Sequence, residues 1–362
     1  MESCMFFWNF KKTPKNILGI DIGSSAIKVV ELAKYGEQEK LVNYGIAPIE
    51  PSPERPVRGS GKEMFLLSST EISEVLKSIL RAAKIKGQRV IFAIPDYTTF
   101  FTNFVLPPMS KEEIPQAVQF EARRHVPLPL SEVTLDWSVT KGVISDFKKE
   151  GLEILLVVVP NETINQYKKI IELCQFELLA IEAEVFGLQR SLVKDDKKTL
   201  AMIDIGSQST TCSIVDKKIL KLSHSFDIAG NSFTQALSKS LDLDYKTAEL
   251  LKEKQGIRPG TQSGKNTHEL LTPLFDLILN EVQKAVETFS QHEGKQIQSY
   301  ILAGGTARLP GLKEYFEQNL HKEVILANPF AEMVYPPVLE ETLKELGPEL
   351  AVAVGMAKKG LE

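Results

Sequence analysis

Apolar residues crowd two stretches, 17–32 and 200–215, and the same five residues, Ile-Asp-Ile-Gly-Ser, break each of them, at 20–24 and 203–207. β-Prone flanks on either side of a Gly-Ser break predict a β-hairpin in both places, with a turn that exposes backbone N–H groups. Glycine lets a phosphate approach such a turn and serine adds a hydroxyl donor. The aspartate just before the turn repels phosphate, and its natural use is to hold the waters of a phosphate-bound Mg²⁺. Two such turns far apart in sequence predict two similar domains facing one nucleotide.

The rest of the pattern fills in around the hairpins. A third strand is expected over 40–47, followed by a Pro- and Gly-rich exposed loop at 48–61. Ile72, Val75, Leu76, Ile79, Leu80 and Ala83 fall at helical spacing, and 89–95 reads as a buried strand. Between 98 and 176 the pattern becomes that of a small β-α-β-β-α unit. It has strands at 99–106, 133–139 and 152–159, a helix over 111–125 capped by Ser110 with Glu113, and a second helix from Asn161 to Cys174. A strand at 178–183 and a helix near 185–193 return to the first domain. After the second hairpin come a strand at 221–229, helices at 232–241, 245–254 and 273–292, and a strand at 298–302 ending in Gly304-Gly305. A helix with Pro310 in its first turn and a helical tail over 340–359 close the chain.

Composition changes this picture little. A chain of 362 residues, 43% of them hydrophobic, can bury the cores of two or three domains. The net charge of −4, with no basic block carrying interleaved aromatics, argues against nucleic acid as a partner. Three widely spaced cysteines, Cys4, Cys174 and Cys212, fit a reducing compartment, and the five histidines have no metal-ligand spacing. No apolar run approaches the ~20 residues of a membrane-spanning helix. The apolar residues 5–8 are read as a short tag packing on the body or on a partner. Gly260-Thr-Gln-Ser-Gly264-Lys265-Asn266 has one residue too few for a P-loop and Asn where Ser or Thr should meet Mg²⁺, so a loop is expected there.

Three motifs in order carry a resemblance: Leu18-Gly-Ile-Asp-Ile-Gly-Ser-Ser-Ala-Ile-Lys28, the second Ile-Asp-Ile-Gly-Ser, and Leu302-Ala-Gly-Gly-Thr-Ala-Arg-Leu-Pro-Gly311. Together with the inserted unit they resemble the actin-like ATPase superfamily, and within it the PilM family of type IV pilus assembly, with FtsA behind it. The resemblance implies an α/β actin-like ATPase fold, two RNase H-like domains around a nucleotide cleft. Domain I would comprise 16–97, 177–199 and a C-terminal helix at about 338–360; the inserted partner-binding subdomain would be 98–176, and domain II 200–337.

The resemblance also implies the ligands, ATP and Mg²⁺. Asp21 and Asp204 would orient the hydrated metal ion; Gly23, Ser24, Ser25 and Lys28 would face the phosphates from one side, and Gly206, Ser207, Ser209 and Thr210 from the other. Gly304 and Gly305 would lie against the ribose and α-phosphate, with Glu249 and Lys252 of an Ala-Glu-x-x-Lys helix beside the adenosine. Glu182 or Glu184 would orient a water, giving at most a slow ATPase. A sugar kinase of the same superfamily is an alternative, but no sugar-binding polar residues surround these two acids. The implied partner is the N-terminal cytoplasmic peptide of a PilN-like inner-membrane protein, with pilus motor ATPases and self-association as further expected contacts. FtsA proteins carry an amphipathic anchor after a C-terminal linker. Here Lys358-Lys-Gly-Leu-Glu362 follows the predicted closing helix directly, so a cytoplasmic protein is expected, held at the inner membrane indirectly through its partner.

Overall fold

Each Ile-Asp-Ile-Gly-Ser segment leads a five-stranded sheet, and the two sheets have the same strand order. A computed structural model describes residues 16–49, 67–142, 151–194, 197–258 and 267–362. The N-terminal apolar tag, most of the Pro-rich loop and the P-loop-like 260–266 lie outside the described residues.

In the first half, β1 (Asn16–Ile22), β2 (Ala26–Tyr35) and β3 (Gln38–Pro48) form an antiparallel meander. Helix α1 (Ser69–Ala82), opened by a capping box between Ser68 and Glu71, leads to β4 (Arg89–Ile94). The inserted unit follows as β5 (Phe100–Leu106), α2 (Ile114–His125), β6 (Val133–Lys141) and β7 (Leu152–Pro160), an antiparallel sheet in the order β5-β7-β6. Then α3 (Asn161–Cys174), β8 (Glu177–Ala183) and α4 (Glu184–Leu192) complete a sheet ordered β3-β2-β1-β4-β8, with β1, β4 and β8 parallel.

The second half repeats the scheme with β9 (Thr199–Ile205), β10 (Thr210–Asp216) and β11 (Ile219–Phe226). Helices α5 (Gly230–Leu241), α6 (Tyr245–Gln255) and α7 (Thr267–Glu293) precede β12 (Ser299–Ala303). Helix α8 (Leu312–Leu320), β13 (Glu323–Leu326) and α9 (Glu340–Lys359) follow, and the sheet order is β11-β10-β9-β12-β13.

Helices α4 and α9 lie between the two sheets. Val185, Leu188, Ala351, Val352 and Met356 share one core with Ile91 and Ala93 of the first sheet and Met202 and Ile301 of the second. Small residues of α9, Ala351, Ala353 and Gly355, make this possible. A Cβ on Gly355 would come 1.9 Å from the carbonyl oxygen of Gly187 in α4, and one on Gly19 in β1 would come 1.9 Å from that of Ala353. The backbones therefore approach as only glycine permits.

Four expectations shift. Helix α2 starts at Ile114, not Lys111, because Pro115 has no N–H and fits only the first turn. Ser110 still bonds the Glu113 carboxylate, outside the helix. Helix α7 starts six residues before Pro273, since Thr267 and Leu271 continue its buried stripe and pull the first turns into register despite the proline. Pro310 precedes α8, which Gly311 caps at φ +84°. The second helix of the 98–176 stretch also looks elsewhere for its core. Tyr167, Ile170 and Ile171 of α3 pack with α1 and β4, whereas the inserted sheet and α2 enclose a separate core from Phe104 to Val158.

Candidate functional site

Parallel strands present their carboxyl ends to one crevice, and that is where the paired aspartates fall. Asp21 on β1 is level with Ala93 on β4, and Asp204 on β9 is level with Ala303 on β12, so the two halves place equivalent carboxylates at equivalent heights. The turns that follow close alike: the Gly23 N–H donates to Ala26 and the Gly206 N–H to Ser209, both at 3.0 Å. The turns meet, because the hydroxyls of Ser24 and Ser207 are hydrogen-bonded across the cleft.

Lys28 stands opposite Asp21 in the β1–β2 register and binds its Oδ2 at 2.9 Å, with its side chain only 14% exposed. Burial pulls its pKa down, but Asp21, with Glu349 and Asp204 behind it, reverses this and holds the ammonium charged. Asp21 Oδ1 is buried with no partner. Burial pushes Asp204 up to about 6, Lys28 opposing and Asp21 adding to the rise. Glu184, at the start of α4, is pushed well above the ordinary carboxylate range by burial and then by Asp21, Asp96 and Asp204. Sequence reasoning missed Asp96 in this cluster. Burial raises its carboxyl to about 8, against the Val185 N–H bond that favours its charge. Its place just past β4, the counterpart of the position that singles out Asp21, was the available signal.

The other candidates divide. Gly304 has φ +86°, and a Cβ there would fall 2.5 Å from Asp204 Oδ1 and 2.4 Å from the Ile205 carbonyl, so this turn admits only glycine. Gly305 is open, with nothing nearer than the Glu349 carboxyl carbon at 4.0 Å. Ser25 is exposed and Ser209 half-buried. The Thr210 hydroxyl is turned to the Ile228 carbonyl at 2.6 Å. Lys252 is buried and bonds Glu249, Thr234 and the Gly230 carbonyl, so this pair braces α6 against the start of α5. It reaches the second turn only through Gly230, whose N–H donates to the Gly206 carbonyl. Thr306, also unforeseen, bonds that same carbonyl at 3.0 Å. Glu182 is gripped by Arg190 through two 2.8 Å bonds, and Arg190 also bonds the Gly355 carbonyl. Of the two glutamates, only Glu184 joins the acidic cluster.

This crowding predicts a pH dependence. Asp204 and Asp96 bind protons more tightly folded than unfolded, so their contribution is full below about pH 4 and is lost as pH rises to about 8. Thermal unfolding of the ligand-free protein at about pH 5 and about pH 8 should show the lower midpoint at the higher pH.

A family model described as type IV pilus assembly protein PilM matches residues 19–361. The chain belongs to the PilM family. A solved PilM–PilN type IV pilus biogenesis complex is similar over 97% of this chain and 100% of that one, with a TM-score of 0.83 at 22% identity. The cell division protein FtsA of Pseudomonas aeruginosa is 21% identical over 96% of this chain and 90% of its own length. MreB5 of Spiroplasma citri, solved bound to AMPPNP, matches with a TM-score of 0.51 at 15% identity, over 91% of this chain and 97% of that one. The fold is that of the actin-like ATPases, and the PilM family places the chain in type IV pilus assembly. Among the described residues no helix is long and apolar enough to cross a membrane.

Proposed function

We propose that this PilM-family chain binds ATP with Mg²⁺ between the two turns and uses the state of that cleft to control docking of a PilN-like inner-membrane protein. The observation that carries the reading is the meeting of Ser24 and Ser207 above Asp21 and Asp204, which brings both turns to one ligand. Backbone N–H groups and hydroxyls of the turns, with Lys28, are the donors that polyphosphate requires. The residues also fit a hydrated Mg²⁺. Asp21 Oδ1 is a buried acceptor without a donor, and among the described residues no three acids converge closely enough to hold a metal ion directly. Water-held Mg²⁺ would supply positive charge to a cluster in which Asp204, Asp96 and Glu184 are otherwise held towards their neutral forms.

The pull of Arg190 on Glu182 leaves Glu184, of the two glutamates, as the candidate for orienting a water, and the sequence beside it carries no polar residues suited to a sugar. This favours a nucleotide-dependent switch with slow turnover over a metabolic kinase. For docking, the inserted unit offers Phe120 on α2, 67% exposed and one turn before Arg123 and Arg124, with Leu128 also exposed just past the helix. Apolar anchors flanked by cations suit a short amphipathic segment such as the cytoplasmic N-terminus of a PilN-like protein. Isothermal calorimetry of the full chain should show ATP binding that depends on Mg²⁺. A flat titration under both conditions overturns the reading.

A further inference from the structure

The inserted unit leaves the first sheet through Pro95-Asp96-Tyr97-Thr98, and this root is bonded to the start of α4 in both directions. The Asp96 backbone N–H donates to Glu184 Oε2 at 3.1 Å, and the Val185 N–H donates to Asp96 Oδ1 at 3.2 Å. Neither segment has a capping side chain of its own: the residue before the 96–98 turn is Pro95, and the one before α4 is Ala183. Each acid therefore supplies the other's cap across 88 or 89 residues of sequence. The turn is stiffened further, since the Thr98 and Thr99 hydroxyls both donate to the Pro95 carbonyl. Asp96 is 2% exposed, and its second oxygen, Oδ2, is buried without a partner.

We propose that Asp96 is a positioning residue that couples the nucleotide cleft, through Glu184, to the root of the inserted unit. This rests on the nucleotide reading above. Glu184 stands in the acidic cluster of the cleft, so a cationic ligand there fixes its carboxylate. The same carboxylate holds the Asp96 N–H, and Asp96 in turn holds α4. Fixing one side of this clasp stiffens the other, and the stiff turn passes the constraint to β5, which follows directly. A second route exists on the flank. Asn103 on β5 donates to the Lys221 carbonyl on β11 at 2.9 Å, and Lys221 Nζ pairs with Glu153 on β7 at 3.1 Å and with Glu293 at 3.2 Å. The flank combines an exposed side-chain bond from Asn103 with charge contacts between flexible side chains, whereas the root is a reciprocal pair of bonds that each hold a backbone N–H, so the root is the tighter path.

Amide hydrogen exchange on the full chain, with and without saturating MgATP, tests this. In the wild type, MgATP should slow exchange in β5 and β7 by about five-fold, together with the amides of Asp96 and Val185. Asp96→Ala, which removes the cap on α4, should reduce the effect to less than about two-fold, and Asp96→Asn, which keeps an acceptor oxygen, should restore it. The proposal fails if Asp96→Ala responds like wild type, or if Lys221→Ala abolishes the effect while Asp96→Ala does not. Should the alanine variant not fold, the wild type decides alone: slowed exchange in β5 with no change at Asp96 and Val185 overturns the clasp. Calorimetry on the same samples separates the two readings. Absent MgATP binding removes both, whereas binding without slowed exchange at β5 removes this one only.

Discussion

Gly355→Leu is expected to yield no natively folded protein, and Gly355→Ala to lose about 3 kcal/mol or more. The position lies where α9 crosses α4 between the two sheets, and a Cβ there would stand 1.9 Å from the Gly187 carbonyl oxygen and 2.4 Å from its carbon. Both partners are backbone of packed helices, so neither can swing aside as a flexible side chain would. Separating the helices would in turn pull α9 off Gly19 on β1, where the Ala353 carbonyl makes an equally close approach. Denaturant unfolding of the alanine variant and circular dichroism of the leucine variant check the two effects. An alanine variant as stable as wild type would show that the crossing opens without loss.

Asp204→Asn is expected to weaken MgATP binding by at least about thirty-fold, about 2 kcal/mol, the scale of a lost charged hydrogen bond. The same change should raise the unfolding temperature of the ligand-free protein. Asp204 is a desolvated acid beside Asp21 and, among the described residues, has no ion-pair partner within salt-bridge reach, so its charge strains the folded state until a cation arrives. Asp21→Asn should behave differently. It also strips Lys28 of its only ion-pair partner among the described residues, leaving a nearly buried ammonium unpaired at a cost of about 3 kcal/mol or more. A loss of binding in that variant will therefore come with a loss of stability. Calorimetric titration alongside thermal melts distinguishes the pair, and unchanged affinity in Asp204→Asn would remove Asp204 from the site.

Much of this was legible in the residues. The doubled Ile-Asp-Ile-Gly-Ser fixes strand, turn and carboxylate together, because apolar alternation, glycine and aspartate each have few other uses in that order. That the hydroxyls of Ser24 and Ser207 would touch was beyond reach, since it depends on how α4 and α9 set the spacing of the sheets. Glu182 and Glu184 read alike along the chain. Only the fold shows that Arg190, further along α4, takes the first and leaves the second to the cleft. Helix α3 was expected from Asn161 to Cys174, but an amphipathic stripe does not name the core it joins, and Tyr167 donates to the Ala93 carbonyl of the first sheet. Asp96 escaped notice because a single acid after a proline looks like any turn until its partners arrive from residues 184 and 185.

The seating of α9 on β1 also bears on how the molecule comes into being. Ile17, Val30, Leu32 and Leu41 belong to the same core as Leu350, Ala353, Val354 and Ala357, segments from opposite regions of the sequence. While a ribosome is still reading the second half, that flank of the first sheet has no cover. The nascent chain must carry a bare apolar strip for most of its synthesis, with β1 unable to finish packing until α9 emerges. Contacts so distant in sequence make for slow folding and a long window for aggregation. A cell making this protein in quantity has reason to keep a chaperone close to that strip.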